Sequence, residues 1–334
     1  MNYRLLPRTD LKLSEVGFGV WTVATDWWGH IDREDGIHLL QKAHDLGVNF
    51  FDTADTYGTG YGEEVLAMAF PKQRRDIIIG TKFGYDIHDT TPRVGHKERS
   101  QKWDPAFIRF ACEQSLRRLK TDYIDIYQLH NPRLPAIEND ELFATLDELV
   151  KEGKLRYYAV ALGPDIGWFE EGEASLKYRN IHAMQIIHSI LEQEPSRRFF
   201  PIAKEKNVGL LSRVPHASEV LTDRYKTMPQ FDPSDHRAFR KREWLEKAIK
   251  KANLSRFIAD EADRTFAQAA IKFCLAQETI CSVLPNITNP RELAEYTSAP
   301  DVPNLTPHEL ARLDDLWRSG FGVEEAPLPA ESSS

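Results

Sequence analysis

Eight short apolar runs alternate with eight amphipathic stretches along this chain, and that order leaves few folds open. The apolar runs fall at residues 16–20, 48–51, 76–80, 124–129, 155–160, 183–187, 208–211 and 281–284. The stretches that follow them lie at 34–46, 63–70, 105–119, 139–151, a less regular one ending at about 178, then 196–206, 264–276 and 290–296, and they carry helical patterning. A strand that is apolar along its whole length needs cover on both faces, as parallel strands receive from crossover helices. Eight such units in one run predict closure into a (β/α)8 TIM barrel.

The length of 334 residues suits one barrel with insertions. No Gly/Ser linker or composition shift divides it, so residues 1–322 are read as a single domain and 323–334, ending in APLPAESSS, as a disordered tail. Residues 3–13, YRLLPRTDLKL, alternate around a polar turn and predict an N-terminal hairpin ahead of the barrel. Two connections are long, 84–104 and 213–262, the second containing a basic amphipathic stretch at about 236–253. Long connections of this kind usually form the C-terminal mouth of a barrel.

With 43 basic and 51 acidic residues the net charge is −8, and no long basic stripe invites nucleic acid. Cys112, Cys274 and Cys281 are too sparse for a disulfide framework and lack metal-ligand spacing, which fits buried thiols in a reducing compartment. Residues 1–10 carry charges in place of a signal-like apolar core, and no run is long enough to span a bilayer, so a cytoplasmic location is expected. His182, His188 and His216 near the sixth and seventh strands also lack metal-ligand spacing; they are read as structural or pocket residues, and no metal is expected.

Reactive side chains of barrel enzymes collect at the C-terminal ends of strands. The second strand ends in Asp52 and runs on to Tyr57 in FFDTADTYG, the third ends in Lys82 in IIIGTKFG, and the fourth ends in His130 in IDIYQLHNP. Singly each has a structural explanation: a turn cap, a loop aromatic, a solvated charge, a buried imidazole. Together they suit one reaction. A phenol of pKa about 10 is a poor proton donor near neutrality. An adjacent ammonium lowers that pKa, a carboxylate holds the ammonium charged and in place, and an imidazole orients a carbonyl oxygen. This is the equipment for protonating a carbonyl oxygen while a hydride reaches its carbon.

The stretches GFGVW, FFDTADTYG, GTKFG and IDIYQLHNP resemble the motifs of the aldo-keto reductases in order and spacing, and the similarity runs from about residue 3 to 320. The resemblance implies that Tyr57 is the general acid/base, that Asp52 and Lys82 tune it, and that His130 orients the substrate. It implies an extended nicotinamide dinucleotide across the barrel mouth, usually NADP(H), held without a Rossmann fingerprint. It also places Trp21, Trp27 and Trp28 in the loop that lines the carbonyl pocket, with Trp21 against the cofactor.

Several cofactor positions depart from the family. After the fifth strand the family typically carries Gly-Val-Ser-Asn, whose Ser and Asn hold the nicotinamide carboxamide; here the residues are Ala159, Val160, Ala161 and Leu162. Losing two such hydrogen bonds costs about 1–3 kcal/mol of affinity. Gln185 matches the family's carboxamide-binding Gln. Arg213 stands where many members stack an aromatic, and a planar guanidinium also stacks; the RVP pattern resembles a branch of the family with Arg there. In LPNITNPRELAEY, Pro285 is followed by the uncharged Asn286, Ile287 and Thr288. Glu292 falls where Arg or Gln usually reads the 2′-phosphate, with Arg291 beside it, and Tyr296 replaces a common Asn. A carboxylate repels a phosphate but accepts a bond from a ribose 2′-hydroxyl. The segment therefore points to weakened preference for NADPH, with NAD(H) as an alternative cofactor.

The sequence thus reads as an oxidoreductase that reduces an aldehyde or ketone, or oxidises the alcohol, by direct hydride transfer from a nicotinamide. Two competing readings remain at this level. One is a cofactor-sensing protein of the same fold with little turnover, which would not need Tyr57 and Lys82. The other is a sugar isomerase or dehydratase, which would show a metal requirement or activity without nicotinamide. The small-molecule substrate and the oligomeric state are not legible.

Overall fold

The computed structural model describes residues 1–89, 98–163, 167–225, 242–260 and 262–323. The chain opens with an antiparallel hairpin, β1 (Tyr3–Leu5) on β2 (Lys12–Ser14), as the alternation predicts. Eight parallel strands follow: β3 (Phe18–Gly19), β4 (Phe50–Asp52), β5 (Ile78–Phe83), β6 (Ile124–His130), β7 (Leu155–Ala161), β8 (Ala183–Ile187), β9 (Gly209–Arg213) and β10 (Ile280–Leu284). Each pairs with its sequence neighbours. The barrel closes just ahead of β3, where the Gly17 N–H donates to the Val283 carbonyl at 2.9 Å and the Val283 N–H donates to the Glu15 carbonyl at 2.8 Å. β3 is therefore shorter than the apolar run at 16–20: residues 15–17 form this seam and Val20 caps a helix. A Cβ on Gly17 would sit 2.9 Å from side-chain atoms of both Leu284 and Phe50, so the seam closes only over a glycine.

The helices, in chain order, are α1 (Trp21–Ala24), α2 (Arg33–Asp45), α3 (Tyr61–Ala69), α4 (Pro105–Leu119), α5 (Leu134–Ile137), α6 (Asp140–Lys151), α7 (Phe169–Tyr178), α8 (Ser196–Lys206), α9 (Arg242–Ser255), α10 (Phe257–Asp260), α11 (Phe266–Leu275), α12 (Pro290–Thr297) and α13 (Pro307–Arg318). Eight of them stand where the periodicity predicts crossover helices. Their starts are chemically marked: Asp104, Asn139 and Asn289 accept backbone N–H groups of the first turns of α4, α6 and α12. α11 starts two residues later than its patterning suggests because Thr265 forms a capping box with Gln268. Arg264, just outside, pairs with Glu309 and donates to the carbonyls of Ile258, Pro303 and Asn304. The basic stretch at 236–253 corresponds to α9, with residues 236–241 outside the described residues, as is the tail beyond 323. α13, with its own Thr306–Glu309 capping box, is not among the predicted elements.

The N-terminal end of the barrel is closed by Arg4 of the hairpin. Its guanidinium bonds Glu15 at 2.7 Å and the carbonyls of Leu275, Ile280 and Gln277 at 2.8, 2.9 and 3.3 Å. Chemistry is left to the opposite end, where the strands finish. No helix among the described residues is long and apolar enough to cross a membrane.

Candidate active site

Asp52 is the last residue of β4, and Lys82, Gln128 and Gln185 reach it from β5, β6 and β8. The Lys82 Nζ donates to Asp52 Oδ2 at 2.6 Å, to the Thr53 carbonyl at 2.8 Å and to the Tyr57 hydroxyl at 3.3 Å. Asp52 Oδ1 accepts from Gln128 Nε2 at 2.7 Å and Gln185 Nε2 at 3.0 Å. All four side chains are buried within the barrel. A Cβ on Gly80 would lie 3.1 Å from Gln128 Nε2 and 3.3 Å from Asp52 Oδ1, so the glycine of β5 leaves the room through which these two groups meet.

Tyr57 reaches Lys82 because the chain turns sharply after β4. The Thr53 N–H donates to the Gly80 carbonyl at 2.7 Å, the Tyr57 N–H to the Ala54 carbonyl at 3.2 Å, and Gly58 takes a φ of +59°. A Cβ on Gly58 would meet the Ala24 carbonyl oxygen at 2.6 Å, which holds the turn against the loop after β3. His130 closes β6, its ring perpendicular to that of Tyr57 with centroids 6.1 Å apart. The four predicted residues are thus brought together. Gln128 was not singled out in the sequence, although it lies two residues before His130 and so on the same face of the strand.

Burial works against the Lys82 ammonium, but the Asp52 carboxylate and the Tyr57 phenol outweigh it and raise the lysine pKa. The phenol departs from expectation. Burial raises its pKa, and the Lys82 ammonium opposes that rise without overcoming it, so the net direction is upward. The ammonium restrains the phenol where the sequence reading expected a net lowering, because a fully enclosed phenolate loses its hydration. Burial, with the Lys82 and Arg213 charges nearby, holds His130 well below the ordinary imidazole pKa, so the ring is neutral.

The walls follow from the loops. The Trp21 indole packs on Gly19, where a Cβ would meet the ring at 2.3 Å, and its Nε1 donates to Asn286 Oδ1 at 2.8 Å, joining the loops after β3 and β10. Asn286 Nδ2 in turn donates to Glu219 Oε1 at 3.2 Å. Trp21 and Trp27 both stand edge-on to Tyr57, at 6.2 and 6.0 Å, with Trp27 44% exposed at the rim and Trp28 packed at the edge of the core. Arg213, the end of β9, donates to the Leu162 and Gly163 carbonyls at 3.1 and 2.7 Å. It therefore caps the strand end where the family's polar pair is replaced by Ala161 and Leu162.

Four positions in the segment after β10 differ from the simple sequence picture. Glu292 is not an isolated carboxylate: it pairs with Arg224 and accepts from the Thr288 N–H and hydroxyl, both at 2.8 Å. Tyr296 is buried against His216, with ring centroids 4.6 Å apart. Pro285 and Asn286 are buried in the loop leaving β10. Among the histidines, His182 precedes β8 at the closed end of the barrel and packs on Tyr157 and Tyr158. His188 is enclosed between Phe200 and Phe273.

Comparison with known proteins agrees with this geometry. The model of the Aldo/keto reductase family matches residues 15–318. An uncharacterized oxidoreductase of Bacillus subtilis, YqkF, is 30% identical over 320 residues, covering 94% of this chain and 95% of its own. The NADH-specific methylglyoxal reductase of Escherichia coli is 28% identical over 305 residues, covering 88% and 92%. The holo form of the aldo-keto reductase AKR11C1 from Bacillus halodurans superposes with a TM-score of 0.77 at 28% identity over the full length of both chains. A strand-end Asp–Lys–Tyr cluster with a neutral histidine, on a barrel matched from end to end, leaves one conclusion: the chain belongs to the aldo/keto reductase family, whose members are nicotinamide-dependent oxidoreductases.

Proposed function

We propose that Tyr57 is the proton donor in the reduction of a small-molecule aldehyde or ketone, and the proton acceptor in the reverse oxidation, with Lys82, Asp52 and His130 supporting it. The observation that carries this reading is the single ammonium, Lys82 Nζ, bonded to both Asp52 and the Tyr57 oxygen. Because the phenol oxygen accepts from Lys82, its own O–H is left to point at a substrate oxygen. The ammonium stabilises the phenolate left after proton transfer, in an enclosed site where such stabilisation is strongest. His130, neutral, offers an N–H to the same oxygen without competing as an acid. Trp21 and Trp27 flank Tyr57 and exclude water from the transfer.

The mouth fits a nicotinamide by the chemistry of its donors. Gln185 commits its Nε2 to Asp52 and Gln128, and among the described residues its side-chain Oε1 accepts no hydrogen bond, leaving it to receive a carboxamide N–H. Trp21 and Arg213 supply flat faces, and the buried Asn286 is hydrogen-bonded to the Trp21 indole. When bound, the nicotinamide supplies the hydride that reaches the carbonyl carbon.

The cofactor preference rests on the segment after β10. We propose that this chain uses NADH at least comparably with NADPH. Thr288 and Ile287 are uncharged, and the Arg224 guanidinium that reaches this segment is paired with the Glu292 carboxylate. Fluorescence titration of the seven tryptophans with each cofactor tests both points. Tight binding of either supports the redox reading, whereas no binding at millimolar concentration sinks it. An NADPH affinity more than about tenfold, or 1.4 kcal/mol, above that for NADH would refute the preference alone.

A further inference from the structure

Among the described residues, His130 is the one member of the proposed group without a side-chain hydrogen bond. Among the described residues its buried Nδ1 has no partner. The bond made by one ring nitrogen normally sets the tautomer and the angle of the ring, so here something else must hold it. The ring lies between two phenols. Tyr57 stands on one side, and Tyr85 stands edge-on to it at 5.1 Å with an interplanar angle of 79°.

Tyr85 is itself held from two directions. Its hydroxyl accepts from Asn131 Nδ2 at 2.9 Å and donates to Glu98, and burial together with the Glu98 carboxylate pushes its pKa up, so the phenol stays protonated. Asn131 follows His130 directly and takes a φ of +51°, a left-handed conformation that asparagine tolerates better than most residues. Gln101, which bridges the backbone of Tyr85, donates its amide to the carbonyls of His130 and Asn131 at 2.9 and 3.1 Å. Just before Tyr85, a Cβ on Gly84 would meet the Trp103 ring at 2.2 Å, so the chain can lie under that indole only as glycine. Both ends of the connection after β5 therefore converge on the last turn of β6.

We infer that Tyr85 is the positioning residue for His130, and that residues Glu98 and Gln101 act through it and through the β6 terminus to set the angle at which the imidazole meets the substrate carbonyl. The inference rests on the proposed role of His130 in that step. It assigns the connection after β5 a task beyond lining the pocket: it fixes the orienting group.

The test is a double-mutant cycle of Tyr85→Leu with His130→Ala, read by steady-state kinetics and cofactor titration. A ring misplaced by an ångström costs up to about a hundredfold, so Tyr85→Leu should lower kcat by about ten- to a hundredfold while the cofactor Kd stays within about twofold. In the His130→Ala background the same change should have no further effect, since residues that act through one group are not additive. Tyr85→Phe, which keeps the ring and loses the two hydrogen bonds, should recover most of the loss, to within about threefold of the parent; if the leucine variant does not fold, Tyr85→Met, which also removes the ring, carries the cycle and the histidine signals in its place. An additive loss in the His130→Ala background would overturn the inference. A second arm does not depend on turnover. In protein labelled at histidine, the His130 ring signals, assigned by their loss in His130→Ala, should shift or broaden in Tyr85→Leu. Unchanged signals would overturn the inference even if the reductase reading stands, and absent carbonyl reduction in the parent would overturn that reading while this arm still judges Tyr85.

Discussion

Replacing Lys82 by methionine removes one ammonium and three hydrogen bonds, and the structure says where the cost falls. Asp52, fully buried, would keep two amide donors on Oδ1 but lose the cation 2.6 Å from Oδ2, and the Thr53 carbonyl would lose its donor. Removing one partner of a buried ion pair typically costs about 3–5 kcal/mol, and the two amides that remain place this site near the lower end. For a chain of this size, about 3 kcal/mol lowers Tm by about 4 °C. Asp52→Asn together with Lys82→Met removes the stranded charge, so the double variant should recover to within about 1 kcal/mol of the parent. The assay is denaturant unfolding at neutral pH of the parent, both single variants and the double. Two additive single losses, or a Lys82→Met loss under about 1 kcal/mol, would refute the claim that Lys82 and Asp52 are coupled as a buried ion pair.

Other predictions follow from the titration of buried groups and from Arg213. Burial holds His188 down to about 3 and His216 to about 4, against an ordinary value of 6.5. A depressed folded pKa means that the stability from keeping these rings neutral is full above pH 6.5 and is lost as pH falls through the folded values. The slope is about 1.4 kcal/mol per pH unit for each ring. His188→Phe should accordingly flatten the acid limb of unfolding; an unchanged limb would contradict the assignment. Burial first, then the nearby Glu63 carboxylate, push the Asp55 carboxyl well above its ordinary value. A raised folded pKa gives stability that is full below the unfolded value and lost as pH rises, so Asp55→Asn should stabilise the protein more near pH 8 than near pH 4 in denaturant unfolding. Arg213→Lys removes the planar guanidinium, whose Nη2 donates to both the Leu162 and Gly163 carbonyls, and with it the flat face proposed to meet the nicotinamide. Losing that stacking face should weaken cofactor binding by about 1 kcal/mol, or about fivefold, and a binding constant equal to the parent's would count against a cofactor role for Arg213.

Barrel topology and the Asp52–Tyr57–Lys82–His130 group were legible because they are local. Apolar runs and helical patterning mark the units, and each of the four residues lies at or just beyond a strand end, where topology alone brings them together. What was missed depends on depth and on long-range pairing. Gln128 sits in a motif whose neighbours drew attention, and only the geometry shows that it and Gln185 share one oxygen of Asp52. Tyr85 looks like an ordinary loop aromatic until Asn131 and Gln101 are seen to fold back on it. Glu292 read as a lone carboxylate because its partner Arg224 lies 68 residues away. The net direction of the Tyr57 pKa likewise needed the balance between burial and charge, which residue types alone do not disclose.

The most direct test of the account is Tyr57→Phe, which removes one oxygen beside Lys82 and leaves the ring between Trp21, Trp27 and His130. NADH and NADPH consumption would be followed with a panel of aldehydes and ketones, alongside tryptophan-fluorescence titration of the cofactors. General acid catalysis is worth about 10²–10⁴-fold. The account predicts a fall in turnover of that size, with both cofactors bound as tightly as by the parent. Turnover above about a tenth of the parent's would contradict it, because a loss of tenfold or less is outside that range, and the proton would then have to come from a group other than Tyr57.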